Sequence, residues 1–160
     1  MLNITIVAVG KLKEKYLADG CAEYLKRLQA FCKCEVIELD EWRLPASPSQ
    51  AQIDDALQKE SKAIAAKLPP QAYLVAMCVE GGQHSSESFA EEFEKAAQRG
   101  KSSIAFVIGG SFGLAEELKA SADLRLSLSK MTLPHHMARF FLLEQVYRAM
   151  TITANMKYHK

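Results

Sequence analysis

Hydrophobic positions along this chain switch between a run-like rhythm and a rhythm of three and four. Residues 2–9, "LNITIVAV", are a short β-branched apolar run ending at Gly10, the pattern of a buried strand. Over 14–31, Leu17, Cys21, Tyr24, Leu28 and Phe31 recur at spacings of four and three, which predicts a helix with one apolar stripe. Lys15, Lys26 and Arg27 fall off that stripe. A second strand is expected near 34–39, "CEVIEL". The stretch "DEWRLPASPSQ" then obeys neither rhythm and reads as the longest loop, with Trp42 as a flap, a contact residue or a locally packed aromatic. A helix to about Leu68 follows, with Ile53, Leu57, Ile64 and Leu68 on one face, Pro48 near its start and Pro69-Pro70 at its end.

Residues 72–79, "AYLVAMCV", predict another buried strand, closed by Glu80-Gly81-Gly82. Ser85 or Ser86 caps the next helix, Phe89, Phe93 and Ala97 face inward, and Gly100 stops it. Residues 103–108, "SIAFVI", form a further strand that runs into "GGSFG". A short helix around 114–121 leads to a strand in which Leu124, Leu126 and Leu128 alternate. The last helix starts near Pro134, with a stripe of His136, Phe140, Leu143, Tyr147 and Met150, widened by Met137, Phe141, Leu142 and Val146. A helix this apolar requires burial on more than one side, so a sheet is expected against one face and a partner subunit against the other. Strands and helices alternate throughout, which predicts one α/β domain over 1–160 with an open parallel sheet.

Composition changes this picture little: 24% charged residues and a net charge of +1 are ordinary for a globular protein and give no overall basic field. The distribution is less even. Residues 118–160 hold Lys119, Arg125, Lys130, Arg139, Arg148, Lys157 and Lys160 against Asp123 and Glu144. That excess fits either a phosphate backbone or a solvated face on which Arg148 pairs with Glu144 one turn away. The cysteines, Cys21, Cys32, Cys34 and Cys78, lack the spacing of a zinc site, and Cys21 and Cys78 lie in apolar patterns as reduced core residues. "MLNITIVAVG" has no basic start or cleavage site and no apolar run approaches a bilayer span, so a cytoplasmic location without membrane association is expected.

Ligands of open α/β sheets bind beyond the carboxyl ends of strands. Three segments occupy such positions: "MCVEGG" (77–82), "IGGSFG" (108–113) and "LSKMTLPH" (128–135). The glycines at 109, 110 and 113 match neither a dinucleotide fingerprint nor a P-loop. They fit a close backbone approach to a ligand and, equally, a tight strand-to-helix turn. His84, His135, His136 and His159 include no pair at the helical metal spacing, and no nucleophile elbow is present.

Together, "ITIVAVGKLKEKY", "IGGSFGL", "SLSKMTLPHHMAR", "LLEQVYRA" and the terminal "YHK" resemble the RlmH family of ribosomal RNA methyltransferases, within the SPOUT superfamily. The resemblance runs from the first strand to the last residue. It implies a SPOUT-type sheet, mostly parallel with helices on both faces, and a C-terminal trefoil knot that general rules of chain topology would not predict. It also implies a homodimer, S-adenosyl-L-methionine as methyl donor, no metal, and methylation of N3 of a pseudouridine in a stem-loop of 23S ribosomal RNA on the assembled ribosome.

Carried over by position, the cofactor site would use Met77, Gly109, Gly110, Leu128, Ser129, Lys130, Met131, Thr132 and Leu133. Met77 replaces a family leucine with a side chain of similar volume. Pro134 and His135 close the loop motif. Tyr158 and His159 match the terminal pair placed near the RNA, with Arg139 as a further RNA contact. Removal of the weakly acidic N3 proton calls for a base or a stabilising cation, for which His135, Arg139 and His159 are the candidates. The alternatives are a SPOUT methyltransferase acting on transfer RNA and a non-catalytic nucleotide-binding module.

Overall fold

The expected alternation appears in the computed structural model, which describes residues 1–160. The elements are β1 (Asn3–Val9), α1 (Lys15–Leu28), β2 (Lys33–Leu39), α2 (Gln50–Ala65) and β3 (Tyr73–Gln83), followed by α3 (Ser86–Gln98), β4 (Ser103–Ile108), α4 (Glu116–Ser121), β5 (Leu124–Ser127) and α5 (His135–Thr153). The five strands form one parallel sheet in the order β2-β1-β4-β3-β5. Parallel pairing aligns the carboxyl ends of all strands along one edge.

Each central strand is apolar on both sides, and the two sides bury into different layers. Ile4 and Ile6 of β1 and Ile104, Phe106 and Ile108 of β4 pack with α1, α3 and α5 side chains such as Leu28, Phe93 and Val146. Val7, Val9, Ala105 and Val107 face the other way, against Ile64 of α2 and Leu118 of α4. Alternate side chains of a strand point to opposite faces, so this division follows from the sequence order itself. Burial of each large side chain contributes about 1.5–3 kcal/mol, which explains why near-continuous apolar runs become central strands.

Caps set the helix starts. Ser49 accepts from the Gln52 amide and Gln52 reaches back to the Ser49 amide, a complete capping box one residue beyond Pro48. Ser85 caps α3 through the Ser88 amide. Gly20, in the middle of α1, has a packing reason: a Cβ there would lie 2.6 Å from the ring of Phe140, so the glycine lets α5 close onto α1.

Three expectations need correction, the first being that Ala96 and not Ala97 is the buried alanine near the end of α3. β3 does not stop at residue 79. After an irregularity it rejoins β5 at Gly82 and Gln83, and Gly81 makes this passage feasible because a Cβ would meet the Leu126 backbone at 2.8 Å. In α5 the buried face consists of Arg139, Leu142, Leu143, Val146, Ala149, Met150 and Thr151, while His136, Phe140 and Tyr147 of the expected stripe are only partly buried. α5 is apolar on most sides, so periodicity could not fix which side faces the sheet. Arg148 does pair with Glu144, at 2.5 Å. No helix is long and apolar enough to cross a membrane.

Candidate functional site

β4, β3 and β5 are neighbours in the sheet, so the segments leaving their carboxyl ends converge. They enclose a cavity of about 590 Å³ lined by Met77–Glu80, Ile108–Leu114 and Leu126–Ser129, together with Met131–His135, Lys119 and Ala138. The size falls within the roughly 300–1,000 Å³ usual for small-molecule sites.

The glycine loop is both a turn and a cavity wall, which unites the two readings of "GGSFG". Gly113 donates its amide to the Gly110 carbonyl at 3.1 Å and has a φ of +77°. A Cβ at Gly109 would sit 2.2 Å from the Gly113 carbonyl oxygen, so the turn admits only glycine there. Glu41, from the loop after β2, braces the turn from outside by accepting from the Ser111 amide at 2.9 Å and the Ser111 hydroxyl at 2.8 Å. The Ser111 amide bond is the main reason the Glu41 carboxyl is held below its usual range.

On the opposite wall, Ser127 donates its hydroxyl to the Ser129 carbonyl at 3.0 Å, and the Met131 amide donates to the Ser129 hydroxyl at 3.0 Å. Met77, Gly109, Gly110, Leu128, Ser129, Met131, Thr132 and Leu133 all line the cavity. Lys130 does not; its exposed side chain leaves the wall between Ser129 and Met131. A strongly hydrated ammonium stays in water when its neighbours supply a half-apolar surface.

The wall also holds a buried lysine, paired with two solvent-facing carboxylates, that sequence reasoning missed. Lys119 of α4 is buried and places Nζ 2.6 Å from Glu80 and 2.7 Å from Glu116. Burial opposes its charge, but the bonds to Glu116 and Glu80 outweigh burial and hold its pKa above the usual lysine value. The i,i+3 spacing of Glu116 and Lys119 was the only sequence signal. Cys78, expected in the core, also lines the cavity.

The catalytic candidates are not brought together within one chain. His135 stands at the cavity mouth, with its ring 4.0 Å from that of His136. Burial first, and then the nearby His136, lower its pKa below the ordinary 6.5, so its imidazole is neutral at physiological pH. Arg139 is 2% exposed and donates to Glu38 at 2.5 Å and to the Gly10 carbonyl at 2.8 Å. This corrects its expected place at an RNA surface: the guanidinium ties the start of α5 to the ends of β1 and β2. Tyr158 donates to Glu144 at 3.0 Å and packs on Tyr147, while His159 pairs with Glu87 at 2.7 Å and faces Arg148. The tail therefore lies beside the middle of α5. At 1.5 Å per residue, the span from His135 to Arg148 is roughly 20 Å. No three His, Cys, Asp or Glu side chains converge as metal ligands would.

An open parallel sheet with a glycine-walled cavity beyond three adjacent strand ends is the architecture of a cofactor-binding α/β enzyme. The chain belongs to the family described as predicted SPOUT methyltransferases, which it matches over residues 2–159. It is 49% identical over 159 residues to a protein of Bacillus thuringiensis (strain Al Hakam) named ribosomal RNA large subunit methyltransferase H, covering 99% of this chain and 100% of the relative. A protein of the same name from Exiguobacterium sibiricum is 48% identical over the same share of both chains. Among solved structures, a tRNA methyltransferase from Aquifex aeolicus superposes with a TM-score of 0.54 at 14% identity, covering 92% of this chain and 69% of that one. A methylase family protein from Neisseria gonorrhoeae gives 0.53 at 13% identity, covering 99% and 96%. At such identities these two structures speak to fold alone.

Proposed function

We propose that this protein transfers a methyl group from S-adenosyl-L-methionine to N3 of a pseudouridine in large-subunit ribosomal RNA, in the cytoplasm and as a homodimer. The observation that carries the reading is the single cavity made by the ends of β3, β4 and β5, with a neutral imidazole at its mouth. Its chemistry suits an adenosyl group. Gly109 and Gly110 bring bare backbone to one wall, and Leu128, Met131 and Leu133 offer apolar cover on the other. When bound, the donor supplies a methyl already activated on a sulfonium.

The chain's own residues then have three tasks. The 128–133 loop offers backbone amides and carbonyls for an adenine edge. The brace of Glu41 on Ser111 keeps the glycine turn in place, and the cavity aligns the accepting nitrogen and limits its access to water. His135, neutral and at the mouth, accepts the N3 proton at its free ring nitrogen.

Two considerations support a second copy. Phe141, 46% exposed, and Met137 one turn earlier on α5 leave an apolar face that a partner would cover. A partner's tail would also place the Tyr158-His159 pair near a cavity that a chain's own tail lies far from. Membership of the family supports a C-terminal trefoil knot. The identity near one half to relatives named for the ribosomal large subunit supports that substrate over transfer RNA.

Mass spectrometry of ribosomal RNA from cells lacking the protein tests this. One methylated pseudouridine is expected to vanish from the large-subunit RNA and to return with the wild-type gene. Unaltered large-subunit RNA would overturn the substrate.

A further inference from the structure

A groove of about 430 Å³ lies beside the cofactor cavity, between the loop after β2 and the start of α2. Trp42, Leu44, Pro45 and Ile53 line it, and Phe112 closes it from the glycine turn. Ser111 and Phe112 belong to both walls, so the groove adjoins the cavity across the glycine turn. Trp42 is 48% exposed and Phe112 49%. Two large aromatics exposed in one groove at the rim of a site offer a surface for a ligand to cover. One face of the Trp42 ring carries Lys59, with Nζ 4.2 Å from the centroid, and the Trp42 amide is anchored to Glu60 at 2.9 Å. The ring is thus held in place and half open.

The other side of the groove is charged. Arg43 and Glu41 lie in both this groove and a hollow of about 500 Å³ at the ends of β1 and β2. Lys11 and Lys13 stand in that hollow with Asp40, and His135 forms the boundary with the cofactor cavity. Lys11 meets Asp40 at 3.4 Å, whereas Lys13 and Arg43 have no acidic partner. Stacking faces beside free cations, next to a cavity for nucleotide chemistry, match an unpaired base and its flanking phosphates.

Resting on the methyltransferase reading above, we infer that the Trp42–Phe112 groove holds an unpaired base of the substrate RNA next to the target nucleotide, with Arg43 and Lys13 on its phosphates. A ribosomal protein segment would be the other occupant for an apolar groove. The free cations and the wall shared with the nucleotide site favour RNA.

The test compares wild type, Trp42→Ala and Trp42→Phe on large ribosomal subunits that lack the methyl group. Trp42 is the sole tryptophan, its backbone anchor to Glu60 survives either change, and binding of S-adenosylmethionine by calorimetry reports folding. Loss of one base stack is expected to raise KM for the subunits roughly tenfold, with kcat and cofactor affinity close to wild type, and Trp42→Phe restores most of the loss. Ultraviolet crosslinking of the wild-type complex then yields a nucleotide adduct at Trp42 or Phe112. A wild-type KM in Trp42→Ala, or a ribosomal-protein peptide crosslinked there, overturns the groove assignment while methylation by wild type still stands. Wild type that leaves the subunits unmethylated defeats the functional reading, and this inference falls with it.

Discussion

Glu41 and Ser111, 70 residues apart in sequence, share two hydrogen bonds through one carboxylate oxygen. The loop after β2 is thereby fastened to the turn after β4. A charge-assisted pair of this kind stabilises by about 1.5–3 kcal/mol when shielded, and less at this exposed position. Glu41→Ala is expected to weaken S-adenosylmethionine binding roughly tenfold without unfolding the sheet, and Glu41→Gln recovers most of it, measured by calorimetry. The carboxyl is held below its ordinary 4.5, so the brace is fully present above pH 4.5 and is lost as pH falls through the lower folded value.

His135 titrates below 6.5 in the folded protein. The unfolded chain therefore binds a proton at that ring more readily. Stability from this group is complete above pH 6.5 and declines as pH falls below it. For the same reason the acid limb of kcat/KM should lie below pH 6.5, and His135→Gln should remove the limb and reduce turnover about a hundredfold. A limb unchanged in His135→Gln would assign the proton to another group.

Arg139 is expected to behave as a structural residue. Arg139→Met removes the ties to Glu38 and Gly10 and should cost about 2 kcal/mol in denaturant unfolding, a figure reduced because Glu38 is partly solvated. At a temperature where the variant is folded, KM for ribosomal subunits should match wild type. An elevated KM with unaltered stability would return Arg139 to the RNA surface.

Deletion of residues 158–160 should leave cofactor affinity within about twofold of wild type, because the tail does not line the cavity of its own chain. Methylation by the truncated protein should be lost. Mixing it with a full-length Gly109→Ala protein, whose turn cannot close, should restore part of the activity in mixed dimers. No recovery would place the tail's role within its own subunit.

Much of this architecture was readable in advance, because the central strands are compact apolar runs and α2 and α3 start at serine caps. β1, β4 and α3 fall within a residue or so of their expected bounds for that reason. What escaped depended on groups distant in sequence. Arg139 looked like one more basic residue of a cationic tail, since nothing local reveals that Glu38 and the Gly10 carbonyl wait for it across the sheet. The buried face of α5 was ambiguous because apolar residues surround the helix. Lys119 sat in a helix too short to show a period. The strand-end rule marked the three segments that wall the cavity and family resemblance chose residues within them, of which only Lys130 points elsewhere.

A crystal structure with S-adenosylmethionine or its demethylated product tests the central claim most directly. The adenosyl group should lie between the 109–113 turn and the 128–133 loop, with Met77 at its edge and His135 facing the methyl-bearing end. Density for the ligand in the charged hollow of Lys11 and Asp40, or anywhere beyond these three strand ends, would contradict it.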